Sequence, residues 1–344
     1  MNTSVIDTQS SFHPESLIAP AETLKKGGLV VFPTETVYGL GAVFNDENAL
    51  LKIFAVKGRP SDNPLIVHIW DVKQLSSLVS QVSSKAECLT KAFWPGPLTI
   101  IFPKRSLVSG VVTAGLDTVA VRMPSHPVAQ ALLRLTDVPV AAPSANLSGR
   151  PSPTKGSHVV EDLFGKVEYI IDAGPCPAGI ESTVIKLEPD PVILRPGSVT
   201  KEMLEQALGE RVAVANPDNQ EHPQAPGMKY RHYAPQAPAL LFEGDPEKVV
   251  AEINHRLDQG KSSERIVVIS SSEHLTRYRN EWVLDLGPLE SPEVAASRLY
   301  DLLRFCDQLA ASQILIEGVK PQGVGLAVAN RLRKAAGGCI VRVS

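Results

Sequence analysis

The spacing of apolar residues over the first 212 positions predicts a mixed α/β domain. Short apolar runs of strand length alternate with stretches in which apolar residues recur at helical spacing. Gly27-Gly28 ends the first predicted helix, and Pro33 ends the buried strand that follows it. We therefore expect a twisted mixed sheet with flanking helices. The predicted strands are 29–32, 65–69, 98–102, 119–122, 138–141, 169–171, 183–187 and 192–194, and the predicted helices are 19–26, 45–56, 71–93 in two pieces, 126–135, 157–164 and one that begins at Thr200.

A regular alternation of strand and helix begins near Leu240. Strands that alternate with helices predict parallel βαβ units, so we expect a smaller Rossmann-like domain. Gly323-Val-Gly325 is only a fragment of a dinucleotide-binding fingerprint, and a glycine at a helix start explains it equally well. The predicted strands are 239–242, 266–270, 283–286 and 314–317, and the predicted helices are 246–258, 292–310 and 325–336.

The distribution of proline supports two domains. Of the 28 prolines, 24 lie in the first 240 residues. Proline is excluded from helix interiors and central strands, so the first part must contain many stiff loops. We predict a polar leader at 1–16, a catalytic domain at 17–212, a proline-rich linker at 213–238 and a second domain at 239–344. The aromatic and basic residues of the linker, at 229–233, suggest a lid over an active site.

Composition excludes several classes of protein. The chain has 344 residues, is 43% hydrophobic and has a net charge of −3, which argues against binding nucleic acid or lipid mainly through bulk charge. Its four cysteines form no C-x-x-C pair and have no spacing with histidine that suggests zinc. No apolar run is long enough to span a bilayer. We expect a cytoplasmic protein with reduced thiols and no metal held by its own side chains.

Polar residues gather where the predicted strands end. One patch, 33–41, carries threonines, a carboxylate and two glycines. Another places Lys57 and Arg59 on a loop stiffened by Pro60, and a third, 140–153, carries three serines and one asparagine. Strand ends are where ligands bind in α/β sheets, and Lys with Arg suits polyphosphate oxygens. Each patch taken alone is also compatible with a turn that satisfies its own backbone or with a solvated loop.

The residue types favour one kind of chemistry. No patch offers a Ser-His-Asp set, a cysteine with a base or an obvious pair of carboxylates. Cations and hydroxyls without a nucleophile are typical of phosphoryl or nucleotidyl transfer, in which positioning and charge neutralisation dominate. The P-loop motif is missing from the sequence, so a P-loop enzyme is excluded.

These patches, in this order, resemble the threonylcarbamoyl-AMP synthase family, the YrdC-like enzymes, in its long two-domain form. The family signature K-x-R followed by S-x-N is present as Lys57, Arg59, Ser144 and Asn146. The segments 33–39, 94–98, 179–183 and 226–235 strengthen the resemblance, which covers most of the chain. It implies a YrdC-like catalytic domain followed by a Rossmann-like domain.

The resemblance also implies a reaction and a site. The expected reaction joins L-threonine, bicarbonate or CO2, and ATP into L-threonylcarbamoyl-AMP with release of pyrophosphate, for N6-threonylcarbamoyladenosine modification of tRNA. Mg²⁺ is expected with ATP, a downstream threonylcarbamoyl transferase is a possible partner, and contact with tRNA is expected to be indirect or weak. By position, the catalytic residues are Lys57 and Arg59, the threonine site uses Thr36, His68, Arg122, the backbone at Ala142, and Ser182, and the ATP site uses Lys57, Arg59, Asn63, Thr118, Ser144, Asn146, Ser152, Arg195 and Tyr233.

Two other interpretations remain open on the sequence. The first domain could be an RNA-binding module, although a net charge of −3 counts against it. A carbamoyl transferase would share the adenylate chemistry, but such enzymes usually carry cysteine arrays that this chain lacks.

Overall fold

The computed structural model describes residues 2–215, 233–260 and 264–343. The chain divides into two compact units. The first unit comprises Met1–Ser148 and Ser152–Tyr230, and the second comprises Gly149–Pro151 and Arg231–Ser344. Most of the predicted linker, including the proposed lid residues 229–232, lies outside the described residues.

One mixed sheet organises the first unit, and eleven strands of it fall among the described residues. The strands are β1 (Ser4–Asp7), β2 (Val30–Phe32), β3 (Gly39–Val43), β4 (Ile66–His68), β5 (Leu98–Pro103), β6 (Thr118–Arg122), β7 (Val140–Ala141), β8 (Tyr169–Asp172), β9 (Thr183–Lys186), β10 (Val192–Arg195) and β11 (Ala213–Val214). Their spatial order is β1-β8-β2-β3-β7-β4-β6-β5-β9-β10-β11. β4 runs parallel to β6, and β5 runs antiparallel to β6, which brings three strand ends from distant parts of the chain together.

Helices cover both faces of this sheet. They are α1 (Ile18–Lys25), α2 (Glu47–Lys57), α3 (Leu75–Leu78), α4 (Ser84–Phe93), α5 (Gly110–Thr113), α6 (Pro127–Thr136), α7 (Gly156–Leu163) and α8 (Lys201–Leu208). Successive residues of β2 point to opposite faces, so Val30 joins Leu24 of α1 and Leu132 of α6 in one core, while Val31 joins Ile53 of α2 in the other. Because its centre is covered on both faces, the sheet leaves its strand ends and loops as the places where a ligand can reach polar groups.

The second unit has a parallel five-stranded sheet among its described residues. Its elements are β12 (Ala239–Gly244), α9 (Pro246–Gln259), β13 (Ile266–Ser271), β14 (Val283–Gly287), α10 (Pro292–Gln308), β15 (Gln313–Glu317), α11 (Val324–Ala335) and β16 (Ile340–Val343). The spatial order is β14-β13-β15-β12-β16, with every pairing parallel. α9 contributes Val249 and Ile253 to a core with Phe242 and Leu315, and α10 packs against α11. The predicted Rossmann-like βαβ domain is confirmed.

Most predicted elements are present, and the strands that the pattern missed have identifiable causes. β1 lies in the predicted polar leader, and three of its four residues are exposed, so it has no apolar signature. β3 begins Gly39-Leu-Gly41, and glycine weakens a strand signal. A Cβ at Gly41 would lie 2.8 Å from a Val140 methyl, so close packing requires that glycine. β11 has only two residues, and β16 follows Gly337-Gly338 near the end of the chain.

Among the described residues, no helix is both long enough and apolar enough to cross a bilayer.

Candidate functional site

A buried arginine lies at the centre of the main polar cluster of the first unit. Arg122, the last residue of β6, is 3% exposed. Its Nη1 donates a hydrogen bond to Thr36 Oγ1 at 2.8 Å, and its Nη2 lies 2.7 Å from Glu35 Oε1. Among the described residues, neither this Nη2 nor either Glu35 oxygen has a hydrogen bond of good geometry. The ion pair therefore balances charge while leaving hydrogen-bonding capacity for a ligand.

The electrostatics of Glu35 depend on this pair. Burial is the largest single influence and raises the pKa of Glu35, but the Arg122 guanidinium and the nearby backbone amides of Glu35 and Ser125 together lower the pKa below its ordinary value. Glu35 is consequently ionised at neutral pH. The cluster holds one fixed positive and one fixed negative charge side by side, an arrangement that complements a zwitterionic amino acid.

A neutral histidine lies next to the arginine. The parallel register of β4 and β6 places His68 directly beside Arg122. Burial, reinforced by the charge of Arg122, lowers the pKa of His68 to about 3, so the imidazole is uncharged at neutral pH. Its ring packs edge-on against Phe32, and its buried Nδ1 has no hydrogen-bond partner among the described residues. The ring therefore offers a polar atom to a ligand without adding charge.

Hydroxyl groups extend the cluster to the neighbouring strands. Thr99 of β5 lies opposite Arg122 in the sheet register, and its Oγ1 is 2.7 Å from Ser182 Oγ. Arg195 donates from Nη2 to the same Ser182 hydroxyl and from Nε to the Ser182 carbonyl, both at 3.1 Å. The family resemblance implies that Arg195 contacts ATP, and in the structure its hydrogen bonds also fix Ser182.

A second polar cluster joins the end of α2 to the loop after β7. Lys57 is 4% exposed, and its Nζ donates to the carbonyls of Ser144 and Asn146 and to Asn146 Oδ1. Ser144 Oγ donates to the same Asn146 Oδ1 at 2.5 Å. All three acceptors belong to the S-x-N loop. In this structure Lys57 therefore holds the S-x-N loop in place.

Arg59 and Asn63 lie on the adjoining loop. Arg59 Nη2 donates to the carbonyls of Asn63 and Pro64 at 3.0 and 3.1 Å, and the guanidinium stacks over Phe54. The Asn63 side chain is fully buried, yet among the described residues neither its Oδ1 nor its Nδ2 has a hydrogen-bond partner. A buried amide without partners carries a free-energy penalty that a bound ligand can remove.

The other predicted residues of the first unit lie at related positions. Ser152 Oγ donates to Glu181 Oε1 at 2.6 Å, and both residues are buried. The Ala142 amide donates to the Ile66 carbonyl, so the sheet already uses that donor. Thr118 is half-buried at the start of β6.

Tyr233 belongs to the second unit. It is buried, with its ring centroid 5.2 Å from that of Tyr300 and with the Arg331 guanidinium over its face. Its contacts with these two residues give no information on the predicted contact with ATP, which stays a prediction.

The structure thus joins the predicted residues into two groups and adds members that the sequence did not single out. Glu35 had a signal, since it is the carboxylate between two threonines in the 33–41 patch. Thr99 lies inside a strand and had none, and Glu181 was noted only as part of a motif. One group contains Glu35, Thr36, His68, Thr99, Arg122, Ser182 and Arg195; the other contains Lys57, Arg59, Asn63, Ser144 and Asn146.

Two family matches cover nearly the whole chain. Residues 22–197 match the Sua5/YciO/YrdC family, described as telomere recombination. Residues 199–337 match the family described as threonylcarbamoyl-AMP synthase, C-terminal domain. The two matches follow each other in the order that the sequence resemblance implies.

Full-length relatives and a solved structure agree with these matches. The chain is 47% identical to threonylcarbamoyl-AMP synthase of Bacillus subtilis, over 98% of this chain and 97% of the relative. It is also 47% identical to the Pyrococcus abyssi enzyme of the same name, over 99% of this chain and 100% of that enzyme. A crystal structure of P. abyssi Sua5 in complex with L-threonine superposes with a TM-score of 0.93 at 46% identity, covering 99% of this chain and 100% of the other. The chain therefore belongs to the threonylcarbamoyl-AMP synthase family, in its two-domain form.

Proposed function

We propose that this chain forms L-threonylcarbamoyl-AMP and pyrophosphate from L-threonine, bicarbonate or CO2, and ATP. Relatives along its whole length carry the name of this activity, and a similar structure holds L-threonine. The observation that carries the proposal is the buried pair of Arg122 and Glu35, which retains unused hydrogen-bonding groups. Opposite fixed charges in contact with hydroxyls suit an amino acid with a side-chain hydroxyl.

The contacts of the first group suggest how threonine binds. Arg122 would receive the substrate carboxylate, because a guanidinium matches a carboxylate in a two-pronged hydrogen bond. Glu35 would accept a hydrogen bond from the amino group, so that the four charges alternate in sign. His68 and Ser182 would supply uncharged contacts, the first through a buried ring and the second through a hydroxyl that Thr99 and Arg195 orient.

The second group suggests how ATP is held. Arg59 and the partnerless amide of Asn63 would face the nucleotide on one loop, and Ser144 on the other. Lys57 fixes the S-x-N loop and contributes positive charge close to it. In a reaction that moves a phosphoryl group, a preorganised loop lowers the barrier because its dipoles need no reorganisation.

The reaction needs no covalent enzyme intermediate. The deprotonated threonine amine attacks the carbon of CO2 and releases one proton to solvent, or attacks bicarbonate and releases one water molecule, and either route forms the N–C bond of a carbamate. A carbamate oxygen then attacks the α-phosphorus of ATP, the bond to the bridging oxygen breaks, and pyrophosphate leaves with the electron pair. Cys176 is not suited to a nucleophilic role, because burial raises the pKa of its thiol.

The proposal also includes a metal ion that arrives with ATP and a protein that receives the product. Mg²⁺ would enter with ATP and neutralise phosphate charge. In the described part of the chain, no group of three or more His, Cys, Asp or Glu side chains is placed to hold a metal ion, so we assign it no set of protein ligands. The product would pass in the cytoplasm to a threonylcarbamoyl transferase that modifies tRNA, and direct contact of this chain with tRNA would be weak.

A product assay tests the proposal. The purified full-length chain is mixed with ATP, L-threonine and bicarbonate, pyrophosphate is measured over time, and the adenylate is identified by mass spectrometry. We expect pyrophosphate and threonylcarbamoyl-AMP in equal amounts, and neither when threonine is omitted. Pyrophosphate release that is independent of threonine would overturn the proposal, as would an absence of release under all conditions.

A further inference from the structure

The second unit contains a crevice where ligands commonly bind in parallel sheets. The chain leaving β13 continues to β14 on one side, whereas the chain leaving β15 passes through α11 to β16 on the other. Adjacent connections that diverge in this way open a crevice beyond the carboxyl ends of the two strands. A cavity of about 350 Å³ lies at this point, and its lining includes Ser271 at the end of β13 and Glu317 at the end of β15. That volume is within the range of small-molecule sites.

Two helix N-termini border the cavity, those of α10 and α11, and α10 contributes the acidic Glu293 of its first turn to the lining. Of the three helices described in this unit, α9 is capped by Asp245 and has an acidic residue in its first turn. α11 begins after Gly323 with neither a side-chain cap nor an acidic residue in its first turn. In the first turn the Gly325 and Leu326 amides already donate to the Gln322 and Gly323 carbonyls. The N–H groups of Gly323 and Val324 and the dipole of a twelve-residue helix remain to favour an anion at this end.

The loop between β15 and α11 brings backbone close to the cavity. Gly323 has φ +53° and ψ −130°, and a Cβ built on it would meet no atom within 4 Å, so its backbone faces open space. A Cβ on Gly325 would lie 2.2 Å from the Lys320 carbonyl, so that glycine is required by packing alone. Lys320 also lines the cavity and adds a positive charge, which is paired at 2.8 Å with Glu290.

An independent observation comes from Ser271. This residue is 5% exposed and lines the same cavity, and its Oγ has no hydrogen-bond partner among the described residues. Glu317 holds it in place, since one carboxylate oxygen accepts a hydrogen bond from the Ser271 amide at 2.8 Å. The rest of the Glu317 carboxylate is occupied by Ser270, His274 and Tyr278. A buried hydroxyl without a partner, fixed at a cavity wall, is a group that a ligand would satisfy.

We propose that this crevice is a second small-molecule site, which binds the phosphate group of a phosphorylated ligand between the N-terminus of α11 and Ser271. The N–H groups of Gly323 and Val324 would bind phosphate oxygens, and the Ser271 hydroxyl would donate to another. Lys320 would exchange its partner Glu290 for the phosphate. The cavity accepts either inorganic phosphate or a mononucleotide, and the two sources are separated by experiment.

Nuclear magnetic resonance on the full-length chain labelled with ¹⁵N-glycine tests the site directly. Inorganic phosphate, AMP and adenosine are titrated separately while the amide signals of Gly318, Gly323 and Gly325 are followed. We expect saturable shifts with phosphate and AMP and none with adenosine. Tighter binding of AMP would identify a nucleotide site, and equal binding would identify a site for phosphate alone. Glycines of the first unit report any binding there in the same spectrum.

A charge variant supplies the control. Gln322→Glu places a carboxylate at the approach to α11, where it strengthens the helix through its dipole but repels an anion. We expect at least about tenfold weaker phosphate binding than in the matched variant Gln308→Glu, at the opposite end of α10. Glu290→Gln should tighten binding, because it releases Lys320. The site is refuted if neither phosphate nor AMP shifts the three glycines up to about 10 mM, if adenosine shifts them as AMP does, or if the two glutamate variants bind equally.

Discussion

Each unit buries a carboxylate at the end of a strand, but the two carboxylates have different surroundings. Glu35 follows β2 and faces a single cation, Arg122, with hydrogen-bonding capacity unused on both sides. Glu317 ends β15, and its oxygens accept hydrogen bonds from Ser270, Ser271 and Tyr278, with His274 Nδ1 3.2 Å from one of them. A carboxylate whose oxygens are occupied by protein donors fixes the fold, whereas one that only balances a charge is ready to exchange partners with a substrate. The comparison assigns a binding role to Glu35 and a positioning role to Glu317.

Arg122→Ala is expected to have the largest effect on both activity and stability. It removes the group proposed to bind the threonine carboxylate and leaves Glu35 buried without a counter-charge, which costs about 3–5 kcal/mol of stability. Threonine-dependent pyrophosphate release should fall below detection, and urea denaturation should show the lost stability. The double variant with Glu35→Gln should recover much of the stability and none of the activity. Recovery of activity in the double variant would contradict a direct role for Arg122.

The single variant Glu35→Gln tests whether Glu35 binds threonine or only neutralises the charge of Arg122. If Glu35 accepts a hydrogen bond from the threonine amine, the loss of its charge removes a charge-assisted hydrogen bond of about 1.5–3 kcal/mol. The KM for threonine should rise about 10- to 100-fold, with the KM for ATP changed much less. Steady-state kinetics with each substrate varied in turn measure both. A KM for threonine that stays the same or falls would show that Glu35 only neutralises Arg122 in the empty site.

Lys57→Ala tests the second group of the first unit. The variant removes the ammonium that ties the Ser144 and Asn146 carbonyls to the end of α2. We expect kcat to fall by at least about tenfold, roughly 1.4 kcal/mol of barrier, because the loop loses its preorganised geometry. Lys52→Ala is the matched control, because Lys52 lies on the same helix and donates to the Gly27 carbonyl instead. Equal kinetics for Lys57→Ala and the wild type would remove Lys57 from the mechanism.

His68 gives the first unit a dependence on pH that can be measured without substrate. Its folded pKa is about 3, below its ordinary value of 6.5, so between these values the unfolded chain binds a proton that the folded chain does not. Stability is unaffected above pH 6.5 and falls as the pH drops, by up to about 1.4 kcal/mol per pH unit from this residue. His68→Gln should flatten that slope in urea denaturation at pH 7, 6 and 5. Parallel curves for the variant and the wild type would mean that His68 titrates normally.

The sequence patterns predicted the architecture of both domains well, but they predicted few of the side-chain contacts in the site. Apolar periodicity indicated both domains because buried strands and helices must bury whole faces, and this requirement is visible in the order of residues. Pairings between distant segments are not visible in this way. Nothing in the sequence indicates that Thr99 meets Ser182, because this contact depends on the register of β5 and β9. Nor does it indicate that Lys57 donates to main-chain carbonyls, because this contact depends on where α2 ends relative to the loop after β7. The resemblance supplied Arg122 and His68 by position, but their charges and unused atoms became apparent only from burial.

Tyr278→Phe is expected to have the smallest effect, a modest loss of stability. It tests whether Glu317, the buried carboxylate of the second unit, only fixes the fold. The variant removes one donor to Glu317 and leaves those from Ser270, Ser271 and His274 in place. A lost hydrogen bond to a charged acceptor costs about 1.5–3 kcal/mol, and the remaining donors keep the loss at the lower end of that range. Urea denaturation should show this loss, while the KM for threonine stays within about twofold of the wild type. A rise in that KM comparable to the rise for Glu35→Gln would mean that Glu317 also contributes to substrate binding. The distinction between a carboxylate that fixes the fold and one that exchanges partners would then fail for this chain.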